Sequence, residues 1–172
     1  MPNYRRPKPC PATVFFTVCL ADRTSRLLVD EIDILREAVL VTRKRRPFHI
    51  DAWVVLPDHM HAVWTLPEDD PNYSDRWGAI KARFSKCVRL AGRAPDVPAL
   101  GVDGGVNPAL RKGQVGIWQE RFWEHHIRDQ ADNGAHVRYC LTNPVKHGLV
   151  DDPEKWPFSS IHRDIREGRW AA

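Results

Sequence analysis

Apolar and polar positions follow two rhythms along this chain, one suited to strands and one to helices. Thr13-Val-Phe-Phe-Thr-Val-Cys-Leu20 is dense in β-branched and aromatic residues and predicts a buried strand. Residues 30–45 carry a helical stripe at Ile32, Leu35, Val39 and Thr42, with Asp30 as the expected cap and Pro47 as the stop. His49–Leu56 and His59–Leu66 read as two strands, and Pro57-Asp58 between them reads as the turn of a β-hairpin. Residues 74–90 return to helical spacing, with Trp77, Ile80, Phe84, Cys87 and Val88 on the apolar face and Lys81, Arg83, Lys86 and Arg89 largely elsewhere.

Between 91 and 117 the pattern lapses. That stretch holds six Gly and three Pro and reads as a flexible surface loop. Trp118–Asp129 is expected to supply a fourth strand, and 133–142 a helix stopped near Asn143-Pro144. A C-terminal extension, 153–172, should pack back through Trp156 and Phe158. Interleaved strands and helices with an antiparallel hairpin predict an α+β fold, a mostly antiparallel central sheet flanked by helices, as one domain over 1–172.

Composition narrows the class. A chain of 172 residues with 42% apolar and 28% charged side chains is long enough for one core and excludes a disordered polymer. No apolar run reaches the roughly 18 residues of a spanning helix, and the N-terminus lacks a signal-like segment, so a cytoplasmic location is expected. Cys10, Cys19, Cys87 and Cys140 have neither zinc-finger nor redox spacing and read as free thiols. The net charge of +4 is modest, but the cations come in groups: Arg5, Arg6, Lys8; Arg43 to Arg46; Lys81, Arg83, Lys86, Arg89; Arg163, Arg166, Arg169. Each group alone is explained by a solvated surface. The set favours a polyanionic partner, and nucleic acid above others.

His59-Met60-His61 is the sharpest local feature. On a strand the two imidazoles project to the same side, with Cα atoms roughly 6–7 Å apart, and can converge on one divalent ion. Two unrelated histidines are the plain alternative. A third ligand is needed, and His125, His126, His136, Asp58 and Asn143 are all candidates. A third His would suit zinc hydrolysis, whereas Asn with open positions suits Mg²⁺ or Mn²⁺ and a phosphate substrate. Tyr139 lies one helical turn before Asn143, so a phenol and an amide share a face.

The run Ala52-Trp-Val-Val-Leu-Pro-Asp-His-Met-His-Ala-Val-Trp-Thr-Leu66 resembles the histidine-hydrophobe-histidine (HUH) strand of single-tyrosine transposases. Trp118-Gln-Glu-Arg-Phe-Trp-Glu-His-His-Ile-Arg-Asp129, Tyr139-Cys-Leu-Thr-Asn-Pro-Val-Lys-His-Gly148, Trp156-Pro-Phe-Ser-Ser160 and the opening Asn3-Tyr-Arg-Arg6 are similar to blocks of the REP-associated tyrosine transposase branch, which acts on repetitive extragenic palindromes. The resemblance spans about residues 3–167. It implies an HUH-nuclease sandwich, a metal held by His59, His61 and Asn143, and Tyr139 as a nucleophile forming a 5′-phosphotyrosine. It further implies Mg²⁺ or Mn²⁺ as cofactor, single-stranded or hairpin DNA as partner, and a monomer, with a dimer as the alternative that mobile relatives offer. Arg5, Arg6, Lys8, Lys81, Arg83, Lys86, Arg121 and Trp118 are the candidate DNA contacts, with Phe122 a weaker stacking candidate. Asp58 departs from the pattern, since Asn is common before the first His. A catalytically weak repeat-binding protein and a zinc-dependent hydrolase remain the competing readings.

Overall fold

A computed structural model describes residues 12–93 and 114–170. Four strands make the main sheet: β1 (Thr13–Cys19), β2 (His49–Val55), β3 (His59–Thr65) and β6 (Trp123–His126), in the order β2-β3-β1-β6 and antiparallel throughout. The two most apolar runs of the sequence, β1 and β3, are therefore the central pair, as their double-sided burial requires. A small ribbon pairs β4 (Gln114–Val115) with β5 (Trp118–Gln119). The helices are α1 (Leu27–Asp30), α2 (Ile32–Arg45), α3 (Tyr73–Leu90), α4 (Gln130–Lys146) and α5 (Ile161–Arg166). The expected α+β class with an antiparallel sheet is the observed one.

Alternation along β1 divides the molecule. Phe16 points to one face and meets Trp64, Tyr73 and Trp77 at ring-centroid distances of 5.0, 5.2 and 5.6 Å, so α3 closes that side. Trp64 and Trp77 stack at 4.2 Å in the middle of this core. Phe15 points to the other face and meets Tyr139 of α4 edge-on at 5.8 Å. The side of the sheet carrying His59 and His61 is thus covered by α4.

Four local departures from the sequence reading have physical reasons. Asp30 ends α1 rather than capping α2, which begins after Glu31. Residues 50–52 of β2 hold a register shift, and Arg163 donates to the carbonyls of Ile50 and Asp51 at 2.8 and 2.6 Å, tying α5 to that irregular edge. The fourth strand is split, because residues 120–122 separate β5 from β6. Helix α4 also does not stop at Asn143-Pro144. Pro144 removes one N–H, yet His147 N and Leu149 N still donate to the carbonyls of Asn143 and Pro144, both at 3.0 Å, and the helix runs on to Lys146. The presumed loop is described only at its ends. There Ile117 is buried in the core, and Arg93 pairs with Glu31 at 2.8 Å. The C-terminal piece packs back as expected, with Trp156 Nε1 donating to Val55 O at 2.8 Å.

Candidate active site

His59 and His61 sit on β3 opposite Cys19 and Thr17 of β1, and both are nearly fully buried, at 4% and 3% exposure. Their rings lie 5.1 Å apart in an edge-to-face arrangement. Each Nδ1 is engaged. His59 Nδ1–H donates to Asp58 Oδ1 at 2.7 Å, and His61 Nδ1 contacts Thr17 Oγ1 at 2.9 Å. His61 Nε2 is buried without a partner. Carrying a proton, it would be an orphaned buried donor, so the favoured tautomer leaves a bare lone pair there. Burial pushes His61 down to about 3, with the neighbouring His59 and His147 acting in the same direction, so the ring is neutral at pH 7. Burial likewise lowers His59, although Asp58 opposes it.

Asn143 is wholly buried with its side chain against His61, an interaction that opposes the lowering of that ring, and its amide atoms have no other hydrogen-bond partner among the described residues. A buried amide and imidazole with no partner beyond each other leave hydrogen-bonding capacity that a bound ligand would meet. The donor set, two neutral imidazoles and a carboxamide oxygen, suits a divalent cation. Second contacts from Asp58 and Thr17 fix both rings, as ligating histidines need.

Tyr139 stands one turn before Asn143 and is 39% exposed; its ring lies 5.3 Å from that of His61. Two further groups come from the last turn of α4 and its C-cap. The ammonium of Lys146 lies 4.8 Å from the centre of the Tyr139 ring, and the ring of His147 lies 5.0 Å from that of His59. Tyr139, Asn143 and His147 form an i, i+4, i+8 series, the signal that could have revealed His147 had Pro144 not been read as a stop.

The other candidates are dispersed. Trp118 is buried against Phe84, and Phe122 is half-buried, packed edge-on against Phe16 of the core. Lys81 is half-buried; its Nζ donates to Gln119 O at 2.9 Å, and burial lowers it to about 8. Arg83 is half-buried, while Lys86 and Arg121 are exposed. Arg5, Arg6 and Lys8 lie outside the described residues. Of the histidines weighed as a third ligand, none joins His59 and His61. His125 and His136 instead flank Asp132, and these three are positioned to share a metal ion, with donor atoms all within 4.8 Å of one another. They also bond among themselves, at 2.9 and 3.1 Å to the Asp132 carboxylate. His126 faces Tyr73, at 3.4 Å from its hydroxyl.

A buried His-x-His pair on a central strand, faced by an exposed helical tyrosine, defines the single-tyrosine HUH class. The chain is 43% identical to the REP-associated tyrosine transposase of Escherichia coli K12, over 98% of this chain and 87% of that protein. It is 40% identical to a putative REP-associated tyrosine transposase of Haemophilus influenzae, over 96% of this chain and 89% of that one. Among solved structures, a REP-associated tyrosine transposase bound to a REP hairpin matches with a TM-score of 0.79 and 43% identity, covering 100% of this chain and 92% of the other. No protein-family model matches the chain. The chain belongs to the REP-associated tyrosine transposases and is an enzyme of that kind. Among the described residues no helix is long and apolar enough to cross a membrane.

Proposed function

We propose that this protein cuts and rejoins single-stranded DNA beside REP-like hairpins, with Tyr139 as nucleophile and His59, His61 and Asn143 as metal ligands. The observation that carries this reading is the unmet bonding capacity of His61 Nε2 and the Asn143 amide, directly beside the accessible Tyr139. A bound Mg²⁺ or Mn²⁺ would supply charge against the developing negative oxygens of the phosphate. Tyr139 Oη attacks phosphorus, the P–O3′ bond breaks, and the phenol proton is released. The products are a 5′-phosphotyrosine and a 3′-hydroxyl once the leaving oxygen takes up a proton. Because the phosphotyrosine ester keeps the energy of the broken bond, a second 3′-hydroxyl can displace Tyr139 and join strands without ATP. Lys146, over the Tyr139 ring, adds positive charge where the phosphate must sit.

The hairpin substrate is assigned by similarity to the relative whose structure holds one. Lys86 and Arg121 are the exposed described candidates for hairpin phosphates, and Arg5, Arg6 and Lys8 extend that set. A monomer acting on cytoplasmic, nucleoid DNA fits this role. The test is a labelled hairpin with single-stranded flanks, incubated with Mg²⁺ or Mn²⁺ and resolved on a denaturing gel. Wild type should give a covalent protein–DNA band. Tyr139→Phe should give none while binding the hairpin normally. Undiminished cutting by Tyr139→Phe would overturn the assignment, and cutting that persists in chelator would remove the metal from it.

A further inference from the structure

Strand cutting leaves one surface around Tyr139 without a role. Trp123 is 56% exposed, the largest ring left open in a sheet whose other aromatics are mostly packed away. β6 pairs with β1 through Thr17↔Trp123 and Phe15↔His125, and β1 pairs with β3 through Thr17↔His61. Residues directly opposite in a sheet share a face, so Trp123 stands on the same side as the His61 ring. Its position is fixed. It meets Phe15 edge-on at 5.8 Å and lies parallel to His125, which stacks in turn on His136 at 4.5 Å. Asp132 holds both imidazoles through its carboxylate. Trp123, Phe15, Thr17, Ala135, His136 and Tyr139 line a cavity of about 450 Å³, within the size range of small-ligand clefts.

We infer that this cavity is a subsite for one unpaired nucleobase of the strand being cut, stacked on Trp123. The inference rests on Tyr139 being the nucleophile. A base on the sugar next to the attacked phosphate has to lie beside Tyr139, and the cavity takes Tyr139 as one of its walls. A base inside a duplex has both faces covered by its neighbours, so an exposed indole selects an unpaired one. Stacking of this kind tolerates any base because each has a π-face. Trp118 is buried in the core, and Phe122 packs with Phe16 and Trp77 on the other face of the sheet, so neither lines this cavity. His125, His136 and Asp132 are positioning residues that keep the platform rigid.

The test uses the Tyr139→Phe protein, so that binding is read without turnover. Anisotropy is measured on a labelled hairpin with single-stranded flanks, intact or with an abasic site at each flank position in turn. One abasic position should weaken binding roughly 5- to 150-fold, the range for loss of one stacked base. Trp123→Ala in the same background should weaken the intact DNA by a similar factor and no longer sense that abasic site, while Trp123→Phe should keep most of the affinity. Unchanged affinity in Trp123→Ala, or an abasic effect that persists in full, would overturn the subsite. So would light scattering showing that Trp123→Ala breaks a dimer at unchanged DNA affinity. The two readings fail separately. A covalent adduct from wild type with base-indifferent binding counts against the subsite alone, and base-dependent binding without an adduct counts against the cutting reaction alone.

Discussion

Asp58 orients His59 through a 2.7 Å hydrogen bond and is itself held by Arg23, whose Nε lies 2.5 Å from its other oxygen. Burial alone would raise the Asp58 carboxyl, but His59 and Arg23 outweigh it and hold it below the usual range. It is therefore a carboxylate at neutral pH, one that fixes the His59 tautomer and keeps Nε2 free. In sequence Asp58 stood out as a departure from the family pattern. Its neighbour in function, Thr17, was invisible, because nothing in a β-branched run marks one hydroxyl as a partner for an imidazole on another strand. If His59 is a ligand, Asp58→Ala should weaken Mn²⁺ binding by about 10- to 100-fold, and Asp58→Asn by less, since its amide oxygen can still accept the Nδ1–H. Calorimetric titration of the three proteins decides this. Equal affinities would mean that the His59 ring is positioned by packing alone.

Helix α4 carries Tyr139, Asn143 and Lys146, with His147 as its C-cap, and its start is defined more sharply than its end. Asp129 caps it by accepting from Asp132 N at 2.8 Å. Asp129→Ala should cost about 1 kcal/mol. Urea unfolding should show this as a lower midpoint at unchanged slope, and no shift would mean that tertiary contacts alone fix the first turn. The strands were legible because apolar runs bounded by turn residues have few other homes, and the hairpin at Pro57-Asp58 followed directly. The end of α4 was not legible. The local rule that proline stops a helix holds for an isolated segment, whereas here Pro144 lies in the last turn and is buried. Likewise the carbonyls at the register shift near Asp51 are met by Arg163, more than 100 residues away, a contact no local pattern encodes.

Across the whole molecule, burying the His61 imidazole costs stability in acid. Native His61 titrates at about 3, against an ordinary value of 6.5. Between those values the unfolded chain binds a proton that the folded chain refuses, so stability falls as pH drops below about 6.5 and stops falling from this source near 3. The limiting slope is about 1.4 kcal/mol per pH unit for one such group, and His59, also lowered, adds to it in the same direction. Lys81 acts at the other end. Native Lys81 titrates at about 8 against an ordinary 10.5, so stability gains as pH rises through that window. The fold should therefore be more stable at pH 8 than at pH 5. In chelator, so that no cation competes for the rings, urea midpoints of wild type should decline steadily from pH 7 to 4.5. His61→Gln, which cannot take up a proton, should show a visibly shallower decline over the same range. Parallel slopes in the two proteins would show that the His61 ring is solvated in solution, and a solvated ring would lack the dry Nε2 on which the proposed cation site rests.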